Sequence, residues 1–196
     1  PLIARWNLAR LAEALVPLID PDQDTAIEKA TQIINTFSAM YEDHWLTEMR
    51  RKFGFETHND DDADLFDTFF ETMADNMVDF TLAFRALADL VGGNATPLRD
   101  LYLTPSATDD WIKRFETRIA SEPNAAKNIR AANPIYIPRN HLVEAALNAA
   151  EQDGDYAQFE QLLTLITNPY TAQDGKDVYT KPPLMVDPNY KTFCGT

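Results

Sequence analysis

Between Asn133 and Asp155 the chain reads NPIYIPRNHLVEAALNAAEQDGD, and this stretch constrains most tightly what the rest can fold into. Pro134 and Pro138 end whatever helix precedes them, because each lacks an amide donor and pushes its predecessor out of the α region. A new helix can start near Pro138 or Arg139. Leu142, Val143, Ala146, Ala149 and Ala150 then fall on one face, with Glu144, Asn148, Glu151 and Gln152 mostly on the other. Asp153-Gly154 stops this helix. Asp155 with Gln158 reads as a capping box that opens another, carrying Phe159, Leu162, Leu163 and Ile166. The expected result is two antiparallel helices on a short turn, the first with an alanine-rich face suited to close packing.

Helical spacing also governs the chain before this hairpin. Leu8, Leu11, Leu15 and Leu18 mark a short first helix, closed by Pro17 and Asp20-Pro21. Thr25 and Glu28 read as a capping box, after which Ile27, Ala30, Ile34, Phe37, Tyr41, Trp45 and Met49 trace an apolar stripe ending near Phe53-Gly54. At 1.5 Å per residue that helix is about 40 Å long, a spine against which shorter helices can pack. An acidic loop from His58 to Asp64 leads into a helix through Leu65, Phe66, Phe69, Met73 and Met77. Phe80, Phe84, Leu87 and Val91 form the next, ended by Gly92-Gly93. Pro97 to Pro105 reads as an irregular connection. Ser106 with Asp109 can cap a helix through Trp111, Ile112, Phe115 and Ile119, and a short one follows around Ile129. Beyond Asn168 only an irregular, proline-rich tail is expected. The class is all-α: a multi-helix bundle over residues 1–168 with a long central helix and a C-terminal hairpin, then a tail over 169–196 that carries Cys194.

A formal net charge of −14 over 196 residues makes the electrostatics of nucleic-acid or anionic-membrane binding repulsive, so neither partner is expected. No apolar run is long enough to span a bilayer. The single cysteine, Cys194, excludes an internal disulfide framework and a cysteine-based zinc site within this chain, and a cytosolic setting is the expectation. The chain opens on Pro1, without an initiator Met, in the run-up to a helix, and so reads as a segment of something longer.

The order of residues adds what periodicity cannot. Asn133-Pro134, Arg139-Asn140, Ala145-Ala146, Ala149-Ala150-Glu151, Gly154-Asp155 and Asn168-Pro169-Tyr170 together resemble the C-terminal region of the selenoprotein O family, the kinase-like protein adenylyltransferases. Matches extend through Trp6-Asn7-Leu8 with Arg10-Leu11-Ala12, Met49-Arg50 with Phe53-Gly54-Phe55, Asp79-Phe80-Thr81 with Phe84-Arg85, Pro97-Leu98-Arg99-Asp100, and Asp110-Trp111 with Arg114 and Arg118. The resemblance implies an enzyme that transfers AMP from ATP to protein hydroxyl side chains with a divalent metal such as magnesium. It implies, too, that the nucleotide- and metal-binding residues lie before the Trp-Asn-Leu helix, so that the upstream kinase-like domain is this chain's partner and protein substrates are the partners of the complete enzyme. For a eukaryotic source it implies a mitochondrial setting, for a bacterial one the cytoplasm. Direct reading gives no Gly-rich phosphate loop, no strand-borne lysine and no His-Arg-Asp motif. No catalytic, cofactor-binding or metal-ligating residue is therefore assigned here, and the chain alone should not bind ATP.

Cys194 is the one candidate site residue. The family ends in Cys-Ser-Ser or selenocysteine-Ser-Ser, and Cys194 holds the same third position from the end, although Gly195-Thr196 replace the serines. The resemblance implies a redox link to a cysteine of the kinase-like domain; the competing reading is an ordinary terminal thiol. Asp60, Asp62, Asp64 and Glu71 match EF-hand positions, but Leu65 stands where the turn needs glycine, so a solvated helix N-terminus is expected instead of calcium. His44 and Glu48 share a helix face without a third ligand. Asp79 reads as a helix cap, and Arg139-Asn140 and Trp6-Asn7 as residues that pack and fix helix ends. The rival from another class is a self-contained acidic helical interaction module whose apolar faces serve a partner.

Overall fold

A computed structural model describes residues 1–183. Among these it contains helices and turns and no strand, an all-α architecture as expected. The chain divides into two compact units, Pro1–Arg50 and the remainder from Arg51.

The first unit is built from α1 (Leu2–Ile19) and most of α2 (Gln23–Phe53). Asp20 adopts an extended conformation between them. Its carboxylate accepts from the Asp22 amide (3.0 Å) and from Lys29 Nζ (2.6 Å), while Asp22 in turn accepts from the Thr25 amide at 2.9 Å. The cap of α2 is thus Asp22, three residues before the expected Thr25–Glu28 box, because an aspartate there reaches the orphan amides of the first turn directly. Pro17 does not close α1. It lies within the last turn, and the helix runs 18 residues rather than the short element expected. The less exposed face of α1 is made by Ala9, Ala12 and Val16, whereas Leu8, Leu11, Leu15 and Leu18 are exposed. Arg5 Nη2 bonds Asn35 Oδ1 at 3.0 Å, tying the two helices of this unit.

The second unit contains α3 (Asp62–Asp75), α4 (Phe80–Val91), α5 (Thr96–Arg99), α6 (Asp109–Ile119), α7 (Ala125–Ala132), α8 (Asn140–Asp153) and α9 (Ala157–Thr167), with 3-10 turns at Pro105–Thr108 and Asp177–Thr180. Its core is aromatic and centres on Phe53, the last residue of α2. That ring stacks on Phe66 at 4.5 Å, meets Phe69 and Phe84 edge-on at 5.4 and 5.1 Å, and reaches Trp111 and Phe115 at 6.2 and 6.3 Å. Phe53, Phe66, Phe69 and Phe115 are wholly buried. Edge-on and stacked pairs add to area burial because ring edges and faces carry opposite partial charge. Along α2, Ala30, Ile34, Phe37, Trp45 and Met49 of the expected stripe are partly buried while Ile27 and Tyr41 are exposed, and the helix's final turn supplies the centre of the second unit's core. The indole N–H of Trp111 donates to the Leu65 carbonyl at 2.9 Å, satisfying the one polar atom that this ring brings into the core.

Gly54 makes the turn out of α2. With φ +85° it sits in left-handed space, and a Cβ there would lie 2.8 Å from both the Ala125 carbonyl oxygen and Ile129 Cγ1. Close approach of α7 to this turn needs the missing side chain. At the other end of the core Gly93 (φ +85°) donates to the Leu90 carbonyl and Asn94 to that of Asp89, a Schellman closure of α4 where Gly92-Gly93 predicted the stop. The stretch after it is less irregular than expected, containing α5 and the 3-10 turn. Ser106 does not cap α6; that helix continues from the 3-10 turn with Thr108 preceding it and no side-chain cap.

The hairpin forms as predicted. Gly154 turns the chain at φ +66°, but the expected Asp155–Gln158 box does not form: the N-cap of α9 is Tyr156, without a side-chain cap, and Asp155 just before it accepts from the Ala157 amide at 2.9 Å. Ala146, Leu162 and Leu165 are buried, while Phe159 and Leu163 of the predicted face are exposed.

Candidate functional site

The acidic loop and α6 together build the most polar buried cluster of the second unit. Asp62, the first residue of α3, is 1 % exposed. It accepts from the Asn59 amide (3.0 Å) and from Arg118 Nε (2.7 Å). Arg118 also donates to Glu122 Oε1 at 3.0 Å and to the Thr57 carbonyl at 2.7 Å, and lies over the Phe55 ring at 4.0 Å. Glu122 closes the network: its carboxylate accepts from the amides of Glu56 (3.0 Å) and Thr57 (3.1 Å), from the Thr57 hydroxyl and from Arg118. Burial opposes ionisation of Glu122, but the Thr57 hydroxyl, Arg118 and the two amides outweigh it and push its pKa down to about 2. Beside this network opens a cavity of about 630 Å³, lined by residues of the 57–65 loop together with Arg114, Thr117, Arg118 and Ser121.

Both arginines at this cavity are engaged, Arg118 as described and Arg114 with the Asp64 carboxylate. The carboxylates of Asp62 and Asp64 are thus turned to guanidinium groups rather than toward a shared cation, and Leu65 is buried in α3. Among the described residues no group of three or more His, Cys, Asp or Glu side chains converges as a metal site would require. A carboxylate with a pKa near 2 is too weak a base for proton abstraction near neutral pH, so the chemistry of the cluster is that of a fastener pinning the loop to α6.

A second junction joins three segments. Asp79 is the N-cap of α4, accepting from the Leu82 amide at 2.9 Å, which is the cap predicted for it. Burial works against its ionised form, yet the hydrogen bonds from Arg139 and the Leu82 amide hold its pKa below the ordinary carboxylate value. Arg139, immediately before α8, is 8 % exposed and grips Asp79 with both Nη atoms at 2.7 and 3.1 Å, while Nη2 also donates to the Thr180 carbonyl at 2.8 Å. Arg139 therefore fixes helix ends as its position suggested. Trp6 does not: it is 59 % exposed within α1, with Arg10 lying over its ring at 5.6 Å. A third junction uses Asn133, whose Nδ2 bonds the Lys52 and Ile129 carbonyls (both 2.8 Å) while its Oδ1 accepts from Lys52 Nζ at 2.7 Å. Arg85 then ties off α7 by donating to the Arg130 and Asn133 carbonyls.

Many residues that carried the resemblance are thus residues that hold segments together: Phe53, Gly54, Asp79, Arg85, Trp111, Arg118, Asn133 and Arg139. A model of the family described as protein adenylyltransferase SelO matches residues 1–167. The chain belongs to this family. Similar curated relatives are the protein nucleotidyltransferase YdiU of Cereibacter sphaeroides strain KD131, 44 % identical over 197 residues, that of Rhodopseudomonas palustris strain BisB18, 42 % over 201, and that of Rhizobium etli, 40 % over 206. Each match covers the whole of this chain and 40 to 41 % of the relative. The chain thus spans about 40 % of the length of the curated relatives it matches.

In this SelO-family chain, sequence reasoning missed Glu122, which nothing in its Ser121-Pro123 surroundings singles out and whose partners lie 65 and 66 residues away. A helix-spaced pair, Arg118 and Glu122, was the only local sign of it. Cys194 lies outside the described residues. His44 and Glu48 both occupy the exposed side of α2. No described helix is long and apolar enough to cross a membrane.

Proposed function

We propose that this chain is the helical C-terminal part of a protein adenylyltransferase that transfers AMP from ATP to protein hydroxyl side chains, with ATP and magnesium held by residues outside it. The observation that carries this reading is the family match over residues 1–167 in a chain that spans about 40 % of its relatives. In this reading the helices support the kinase-like domain, which is the partner of the apolar residues displayed by α1, and Cys194 is a redox-responsive thiol. Leu2, Ile3, Trp6, Leu11 and Leu18 are each more than half exposed, a density of apolar surface that calls for a cover. The same surface is the one observation that favours the interaction module as a second reading.

Calorimetric titration of this chain with magnesium-ATP tests where the nucleotide site lies. No binding at micromolar concentrations is expected, and micromolar affinity would refute the placement. In the complete protein, Cys194→Ser should alter how activity responds to an oxidant while leaving the reduced enzyme intact; an unchanged oxidant response removes the regulatory claim. Recovery of AMP transfer by a longer polypeptide favours the enzyme over the module.

A further inference from the structure

Residues 168–180 run across other segments of the second unit and are tied to them by a series of hydrogen bonds. The Pro169 carbonyl accepts from the Ile135 and Tyr136 amides at 2.6 and 3.2 Å. The Gln173 amide donates to Tyr136 Oη at 2.9 Å, Lys176 Nζ to Gln161 Oε1 at 2.5 Å, and Arg139 Nη2 to the Thr180 carbonyl at 2.8 Å. No residue from Asn168 to Pro183 is buried. Pro169, Gln173, Lys176, Tyr179 and Thr180 are only partly covered, and attachment with so little burial marks the part of a fold that opens at lowest free energy. The groups that receive the segment are the reverse: Tyr136 and Arg139 are 3 % and 8 % exposed. Arg139 also keeps one defect, a buried Nε–H with no partner among the described residues, and an unpaired buried donor weakens the docked arrangement that contains it.

We propose that residues 168–180 are a latched strap, opening as a unit while the surrounding helices stay folded, with Arg139 as the latch. The asymmetry of its bonds gives the mechanism. Two of them run to Asp79, which belongs to the start of α4 and remains in place when the strap leaves, whereas the bond to Thr180 is the one that is lost. Undocking therefore does not strand a buried charge, and the cost that usually locks an internal arginine in place does not arise.

Hydrogen exchange read by mass spectrometry on the protein tests the latch without reference to activity. In the unmodified protein, peptides covering 171–180 should exchange at least tenfold faster than those from α4 and α7. Arg139→Lys, which keeps a cation beside Asp79 but cannot fork to both partners, should speed exchange around Tyr179 by fivefold or more. Tyr136→Phe should do the same at Gln173. Both should leave α3 and α6 unchanged. The proposal is overturned by a strap as protected as α4, by variants that do not loosen the strap, or by variants that loosen the helical core equally.

Discussion

Replacing Glu122 by glutamine tests whether the carboxylate network fastens the 56–62 loop to α6. The Glu122 side chain is 1 % exposed and accepts from four donors, two of them backbone amides. A glutamine at this position would present an NH2 group to some of those donors and bring no charge to Arg118. The size of the loss follows from linkage. A pKa of about 2 in the folded protein against an ordinary value of 4.5 corresponds to about 3 kcal/mol at neutral pH. Because the folded-state pKa is the lower one, this stabilisation is fully present above pH 4.5 and is lost as pH falls through 2. The difference between the two proteins should then be about 3 kcal/mol at pH 7 and narrow by about 1.4 kcal/mol at pH 3.5. Urea unfolding followed by circular dichroism and tryptophan fluorescence at both pH values measures it, the fluorescence of Trp111 reporting on the adjacent core. A difference under about 0.5 kcal/mol at pH 7, or one that does not change with pH, would refute the reasoning.

Other perturbations probe the core and its joints by the same unfolding measurement. Phe53→Ala should cost about 3–5 kcal/mol, since the cavity would lie where the rings of Phe55, Phe66, Phe69, Phe84, Trp111 and Phe115 meet; a loss near 1 kcal/mol would mean that another residue is the hub. Gly54→Ala should destabilise by at least about 2 kcal/mol, from left-handed backbone strain and the 2.8 Å approach to the Ala125 carbonyl. Neutral behaviour there would show that α7 yields. Asn133→Ala should cost about 2 kcal/mol by removing the side-chain donor of the Lys52 carbonyl and the acceptor of Lys52 Nζ, the Ile129 carbonyl keeping the Asn133 amide, and an unaltered midpoint would show that the Lys52 groups find other partners.

The helices of this chain were legible in its residues because each depends on local rules. Gly92-Gly93 and Asp153-Gly154 stop helices wherever they occur in such a pattern, and Asp79 caps α4 as an aspartate before Phe80-Thr81 should. Errors arose where two local solutions compete. Asp22 and Thr25 can both cap α2, and the nearer carboxylate of Asp22 takes the role. Pro17 can close a helix or sit inside its last turn, and here it does the latter. The Leu8–Leu18 stripe shows how periodicity identifies a helix without saying which of its faces is the less exposed one.

The candidate sites divide along the same line. The order of residues was enough to place the chain in the SelO family, because a series of short matches survives whatever their individual roles are. What those residues do was decided only by tertiary structure. Lys52 meets Asn133 across 81 positions, Arg118 meets Asp62 across 56 and Arg139 meets Asp79 across 60, and no propensity or spacing rule carries information over such distances. Helix formation is local, since each turn needs only its own amides, carbonyls and caps. A buried ion pair forms only where the folded chain brings two desolvated groups together, and that is a property of the packed arrangement.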